Sequence, residues 1–143
     1  MSARMQLVTA IADCLRQIAQ AAGYRTDAGQ YVTTEPVQVP DDQPAVLAVV
    51  IERQQRADQP AIVRTHRLTT VLIVAKVRAD ADGAQQALDA LISDVERAMA
   101  GQHWRFANGT SAPQYLEMQP LGAEAGMGWA GALIRYQSTV PIH

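Results

Sequence analysis

The feature that most constrains the fold is a long β-like stretch from Ile62 to Arg78. Its inner part alternates with a period of two, which places apolar side chains on both sides of an extended chain. One side carries Val71, Ile73, Ala75 and Val77, and the other carries Leu68, Leu72 and Val74. A strand that is apolar on both sides belongs inside a sheet, so we predict that this segment is the central strand.

An amphipathic helix is predicted near the N-terminus. Ser2 is a suitable N-cap, and apolar residues recur at intervals of three and four from Met5 onward. Gly23 is the predicted end, because glycine readily adopts the left-handed conformation that terminates helices. The stripe predicts that Leu15 and Ile18 are buried. Cys14 lies beside it and is interpreted as a small packing residue, since no cationic neighbour favours its thiolate.

A second helix is predicted between Asp82 and Gly101. Asp82 and Gln85 have the spacing of a capping box, in which two side chains satisfy backbone donors at the helix start. Burial is predicted at Leu88, Leu91 and Val95, and the apolar stripe as a whole comprises Ala84, Ala87, Leu88, Leu91, Ile92, Val95 and Met99.

Four further strands are predicted, two before the central strand and two after the second helix. Tyr31–Thr34 reads as a short edge strand, and Ala45–Ile51 is apolar throughout, which indicates burial on both faces, inside the sheet or under a partner subunit. Tyr115–Met118 and Trp129–Val140 read as an antiparallel pair. The order helix, three strands, helix, two strands predicts an α+β fold with two helices packed on one face of a mixed, mainly antiparallel sheet of about five strands. We expect residues 1–143 to form a single domain.

Composition excludes several functional classes. The hydrophobic share of 48% predicts a packed core, and a net charge of −2 disfavours a protein built to bind nucleic acid in a sequence-specific way. One cysteine cannot form an intramolecular disulfide, and the apolar runs are too short to span a bilayer. The N-terminus lacks the pattern of a signal peptide, so we expect cytoplasmic synthesis and no membrane partner.

No catalytic or ligand-binding constellation is evident, so we expect a protein that is not an enzyme. The segment Gly126–Gly131 matches the G-x-G-x-x-G spacing of dinucleotide-binding loops, but a strand follows where such a loop requires a helix. The histidines are not at ligand spacing: His66, His103 and His143. We therefore expect no catalytic residue, no cofactor and no metal.

The segment Glu52–Pro60 and its flanks form the candidate interface. The segment lacks apolar periodicity and reads as a loop or a long hairpin tip, which we expect to be mobile in the isolated chain. Its arginines and amides could reach carboxylates and carbonyls of a partner, or simply form a solvated hairpin. The candidate interface residues are Arg53, Gln54, Gln55, Arg56, Arg64 and Arg67.

Several segments of the sequence resemble those of the tail terminator or tail completion proteins of long-tailed bacteriophages and prophages. This class includes the minor tail protein U of lambda-like phages. The N-terminal helix ends in Ala21-Ala22-Gly23-Tyr24, and a Pro-flanked strand follows. The strand Leu68 to Arg78 leads into Asp82-Gly83-Ala84-Gln85-Gln86-Ala87, and the chain closes with Trp129-Ala130-Gly131-Ala132-Leu133-Ile134-Arg135-Tyr136. The resemblance covers nearly the whole chain.

This resemblance implies a structural role in the virion tail. The subunit would form a six-membered ring with copies of itself, cap the finished tail tube and stop its polymerisation. Its partners would be the tail tube protein and the head-tail connector protein, and assembly would take place in the cytoplasm of the bacterial host. No binding residue of the family carries over to a numbered position of this chain.

A ferredoxin-like module that binds a small regulatory molecule is the alternative. That fold also places two helices on an antiparallel sheet, but it repeats a β-α-β order twice. The unbroken run of three strands from Tyr31 to Arg78 counts against it.

Overall fold

Two α-helices on one face of a five-stranded sheet make up the computed structural model, which describes residues 1–35, 43–78, 83–121 and 128–142. The elements are α1 Ala3–Leu15, β1 Val32–Thr33, β2 Ala45–Arg56, β3 His66–Arg78, α2 Ala84–Gly101, β4 Gln114–Leu121 and β5 Trp129–Pro141. The sheet order is β1-β2-β3-β5-β4, with β1 parallel to β2 and every other pair antiparallel. The predicted α+β class is confirmed, and so is the central place of β3.

The connection from β3 through α2 to β4 is a split β-α-β unit. Strands β3 and β4 are both antiparallel to β5, which lies between them, so they are parallel to each other. The first half of the chain instead runs α1, β1, β2, β3. Within the ranges described, the fold therefore contains this unit once, whereas the ferredoxin-like alternative needs it twice.

The hydrophobic core lies between the helices and the sheet. Strand residues alternate between this covered face and the opposite one, as the period of two in β3 predicts. The predicted core residues are confirmed, each at most 4% exposed: Leu15, Ile18, Leu88, Leu91 and Val95. Full burial of such a side chain contributes about 1.5–3 kcal/mol.

Helix α1 is shorter than predicted. The Ser2 hydroxyl caps it by accepting a hydrogen bond from the backbone amide of Met5 at 3.2 Å, but the helix ends at Leu15 and not at Gly23. The reason is a tertiary contact, because the Ile18 carbonyl, which a longer helix would use internally, accepts from the Gly29 amide at 3.0 Å. A Cβ at Gly29 would lie 2.6 Å from that oxygen, so only glycine permits this approach.

The predicted boundaries of α2 hold with one change. The helix begins at Ala84 with Gly83 at the N-cap, where no side chain supplies a capping hydrogen bond. Asp82 of the predicted capping box lies outside the described residues, as does Gly126 of the glycine-rich segment. None of the described helices is long and apolar enough to cross a membrane.

The segment Glu52–Pro60, predicted as a loop or a long hairpin tip, belongs to a long hairpin, and its first half is strand and not loop. Strand β2 continues to Arg56 and pairs with the start of β3 in a long hairpin, and a 3₁₀ turn at Pro60–Ile62 precedes β3 at His66. Backbone hydrogen bonds to a neighbouring strand can hold polar residues extended, which apolar periodicity cannot reveal. Residues 52–56 are therefore strand, and the mobility of the hairpin tip in the isolated chain stays a prediction.

Candidate subunit interface

The sheet has one face that no described helix covers, which we call the open face. Its centre is apolar, because Val50, Leu72, Val74 and Leu133 point away from the helices and remain partly exposed. Ala48 lies beside Val74 in the same row and is 6% exposed. An apolar sheet face without a covering layer is typical of a surface that packs against another chain.

A cluster of charged side chains borders this apolar centre. The Nε of Arg135 donates to both carboxylate oxygens of Glu52, at 2.8 and 3.0 Å, and its Nη1 donates to Gln119 at 3.2 Å and Glu117 at 3.4 Å. The hydrogen bond from Arg135 holds the pKa of Glu52 below its ordinary value. The cluster thus joins β2, β5 and β4 across the open face.

A β-bulge places Glu52 in this cluster. The register between β2 and β3 shifts between Ile51 and Arg53, so Glu52 is the extra residue of β2. After the bulge, Arg53 pairs with Thr70 on the open face. Sequence analysis did not identify Glu52 or Arg135 as partners, because only the pairing of strands brings them together.

The six predicted interface residues lie on or next to the β2–β3 hairpin, but they face in different directions. Register places Arg53 and Gln55 on the open face, Gln54, Arg56 and Arg67 on the helix side, and Arg64 in the turn before β3. A cleft of about 410 Å³ on this hairpin brings four of them together, with these lining residues: Gln54, Gln55, Arg56, Val63 and Arg67.

Two of these six residues are engaged within the chain. Gln54 accepts from Arg4 of α1 at 3.2 Å and donates to Thr69 at 2.9 Å, which ties the hairpin to the helix layer. Arg67 donates to the carbonyls of His66 at 3.1 Å and Val63 at 3.4 Å.

The remaining arginines of the hairpin point into solvent. Arg53, Arg56 and Arg64 are exposed, and their side chains make no hydrogen bond or ion pair with the part of the chain that the structure describes. They are the hairpin side chains best placed to reach a partner.

A second cleft, of about 340 Å³, lies at the opposite edge of the sheet, and we call it the α2–β4 cleft. The Tyr115 and Tyr136 rings meet edge to face with centroids 5.7 Å apart. Burial, and then the nearby Glu96 carboxylate, raise the pKa of both tyrosines. The cleft is lined by Glu96, Met99, Ala100, Pro113, Tyr115 and Tyr136. Sequence analysis missed it, since its residues come from α2, β4, β5 and a loop.

A third cavity, of about 470 Å³, lies where the start of α2 meets the ends of β2 and β3. Its volume falls within the range of small-molecule sites. Leu91, Ala87, Val77 and Ala45 supply apolar walls, and Arg25 is among the charged lining residues.

Two other reactive side chains, Cys14 and His66, make hydrogen-bonding contacts within the chain. Burial raises the pKa of Cys14 to about 11, and its thiol donates to the Ala98 carbonyl at 3.3 Å, which confirms the packing interpretation. His66 contacts the hydroxyl of Thr65 through Nδ1 at 2.8 Å. Residues 1–35, 43–78, 83–121 and 128–142 contain no group of three side chains placed to bind a metal ion.

The sequence matches no protein-family model and no curated protein. Among solved structures, it is similar to a chain of the particle described as "Virion of native gene transfer agent (GTA) particle". The two share 19% identity and a TM-score of 0.60, and the alignment covers 94% of each chain. At this identity the likeness shows a common fold.

Proposed function

We propose that the chain is a structural subunit of a phage or phage-like particle and acts in its tail as a terminator. Copies would form a ring that caps the tail tube, ends its polymerisation and offers a joining surface to the head. The observation that carries the proposal is the fold likeness to a virion chain, which extends over 94% of both chains. The role is architectural and needs no catalytic residue.

The open face supports such a role. A subunit in a particle buries surface against several neighbours, and stable contacts combine an apolar centre with a polar border. Leu72, Val74 and Leu133 supply the apolar centre, and the cluster around Arg135 supplies the border. The tail tube protein and the head-tail connector are the proposed partners beside copies of the chain itself.

The hairpin arginines supply a second surface for assembly. Replacing Arg53 and Arg56 with Glu reverses two exposed charges that form no hydrogen bond or ion pair with the described residues, so the fold should be retained. In addition to the hydrogen bond from Arg135, Arg53 helps to lower the pKa of the Glu52 carboxyl, and it does so only through its charge. Tail capping should be lost, because like charges placed against a partner oppose binding.

Capping can be measured directly. Purified protein is added to polymerising tail tube protein from the same phage or prophage, and tube lengths are measured by electron microscopy. Wild-type protein should give short tubes with a ring at one end, and R53E/R56E should leave tubes of uncontrolled length. The control R25E/R105E changes two exposed arginines outside the hairpin whose side chains form no hydrogen bond or ion pair with the described residues, and it should cap normally. Tubes unaffected by the wild-type protein would contradict the proposal.

The ferredoxin-like alternative is favoured by one observation, the cavity of about 470 Å³. A regulatory module should gain stability from its ligand. A rise of several degrees in Tm with one member of a panel of nucleotides and amino acids, together with no effect on tube length, would favour this alternative.

A further inference from the structure

We infer that neighbouring subunits of the ring contact each other head to tail: Arg56 and Arg64 of one copy enter the α2–β4 cleft of the next, beside Glu96 and Tyr115. This inference rests on the proposed ring and names its contact surfaces. The occupant of the cleft is therefore a second copy of this chain.

A cyclic ring needs two different surfaces on each subunit, since its contacts are heterologous. The hairpin and the α2–β4 cleft meet this requirement because they lie toward opposite edges of the sheet. Strand β4 forms one edge. Toward the other edge, β1 pairs only with Leu47 and Ala48 of β2. Residues 53–56 of β2 pair with β3 on one side and have no described strand on the other.

The two surfaces also lie in one layer of the molecule. Register places Arg56 on the helix side of the sheet, and Tyr115 pairs with Tyr136, whose ring belongs to the core on that same side. A neighbour related by rotation within the ring could thus bring the hairpin of one copy to the cleft of the next without turning either sheet over.

Charge is distributed unevenly between the hairpin and the rest of the chain. Residues 52–67 contain four arginines against Glu52 and Asp58, which is a net charge of +2 with histidine neutral. Because the whole chain carries −2, the remainder carries −4. Such a separation favours contact between the hairpin and another surface of a second copy.

The α2–β4 cleft has the chemistry that binds a guanidinium group. A planar cation stacks on a tyrosine ring and pairs with a carboxylate. Tyr115 is 53% exposed, and Glu96 makes no hydrogen bond or ion pair with the described part of the chain. An arginine–tyrosine contact already occurs within the chain, since the guanidinium of Arg97 lies 4.7 Å from the centre of the Tyr24 ring.

Disulfide trapping tests the contact. The variant R56C/E96C is oxidised at high concentration and examined on a non-reducing gel, where a ladder of covalent oligomers is expected. Cys14 should stay out of the reaction because it is buried and its pKa is about 11. The matched control R56C/D89C moves the second cysteine about two turns along α2 to another exposed residue, and it should give little ladder. Equal ladders, or none, would overturn the inference.

Charge exchange provides the second measurement. E96R alone and R56E/R64E alone should each weaken self-association, measured by analytical ultracentrifugation, about tenfold or more. The combined variant R56E/R64E/E96R should regain most of the self-association that the separate variants lose. If it regains neither self-association nor tube capping, the contact is contradicted. A ladder without capping would refute the proposed function and leave the contact intact. Capping by the wild type without a ladder would refute the contact alone.

Discussion

The two faces of the sheet differ more than any other pair of surfaces in the molecule. On the covered face, β3 places Val71, Ile73 and Ala75 under the helices, each at most 1% exposed. On the open face, the residues between them, Leu72 and Val74, are almost as apolar but remain partly exposed.

Folding accounts for the covered face, because burial of its side chains drives the packing of helices on the sheet. The open face is not explained in this way, since no described element of the chain packs on it. A sheet with one solvated face normally alternates apolar with polar residues. The departure from that alternation supports the proposal that the open face contacts another chain.

The largest expected effect separates the two faces by stability. Leu91→Ala in α2 should lower the free energy of unfolding by about 2–5 kcal/mol, because it leaves a cavity in the core. Leu72→Ala makes the same chemical change on the open face and should cost about 1 kcal/mol or less. Urea unfolding of both variants measures the difference. Equal losses would mean that the open face contributes to the core of the subunit.

A smaller effect concerns a charged group on the covered side. Asp94 of α2 is 1% exposed, and its carboxylate accepts from the backbone amides of Arg25 at 3.1 Å and Thr26 at 2.8 Å and from the Thr26 hydroxyl at 2.7 Å. Asp94→Ala should cost about 1–3 kcal/mol, since donors lose their acceptor. The measurement is urea unfolding, with Asp89→Ala on the exposed side of the same helix as a control. A cost no greater than that of the control would show that the hydrogen bonds add nothing.

The smallest effect concerns the ionic cluster of the open face. Arg135 lowers the pKa of Glu52, so the pair stabilises the fold above the ordinary glutamate pKa of 4.5, and this contribution is lost as pH falls through the lowered value. Glu52→Gln should cost about 1 kcal/mol at pH 7, because the pair is only partly buried. Unfolding measured from pH 7 to pH 3 should show the two proteins converging. A difference that does not shrink as pH falls would contradict an ionic origin.

Much of the fold could be predicted from local pattern. The alternation in β3 and the helical stripe around Leu91 identify elements whose buried sides depend only on periodicity, and the structure confirms both. The end of α1 could not be predicted in this way. It depends on the approach of Gly29 to Ile18, eleven residues earlier in the chain.

The candidate site could be predicted only in part. The density of arginines around Arg56 identified the hairpin, but only the tertiary structure shows that Gln54 and Arg67 form hydrogen bonds within the chain while Arg53 and Arg56 form none with the described residues. The α2–β4 cleft left no local signal, because Glu96 and Tyr115 lie on different elements.

The sequence by itself determined which segments are helices or strands and which side of each is apolar, because those properties depend on neighbours a few residues away. Tertiary structure decided that the polar residues 52–56 form a strand, that Arg135 joins Glu52 to Glu117, and that the arginine-rich hairpin and the α2–β4 cleft lie toward opposite edges of one sheet. These features arise from pairing between distant segments, where hydrogen-bond register and not local periodicity sets the position of each side chain.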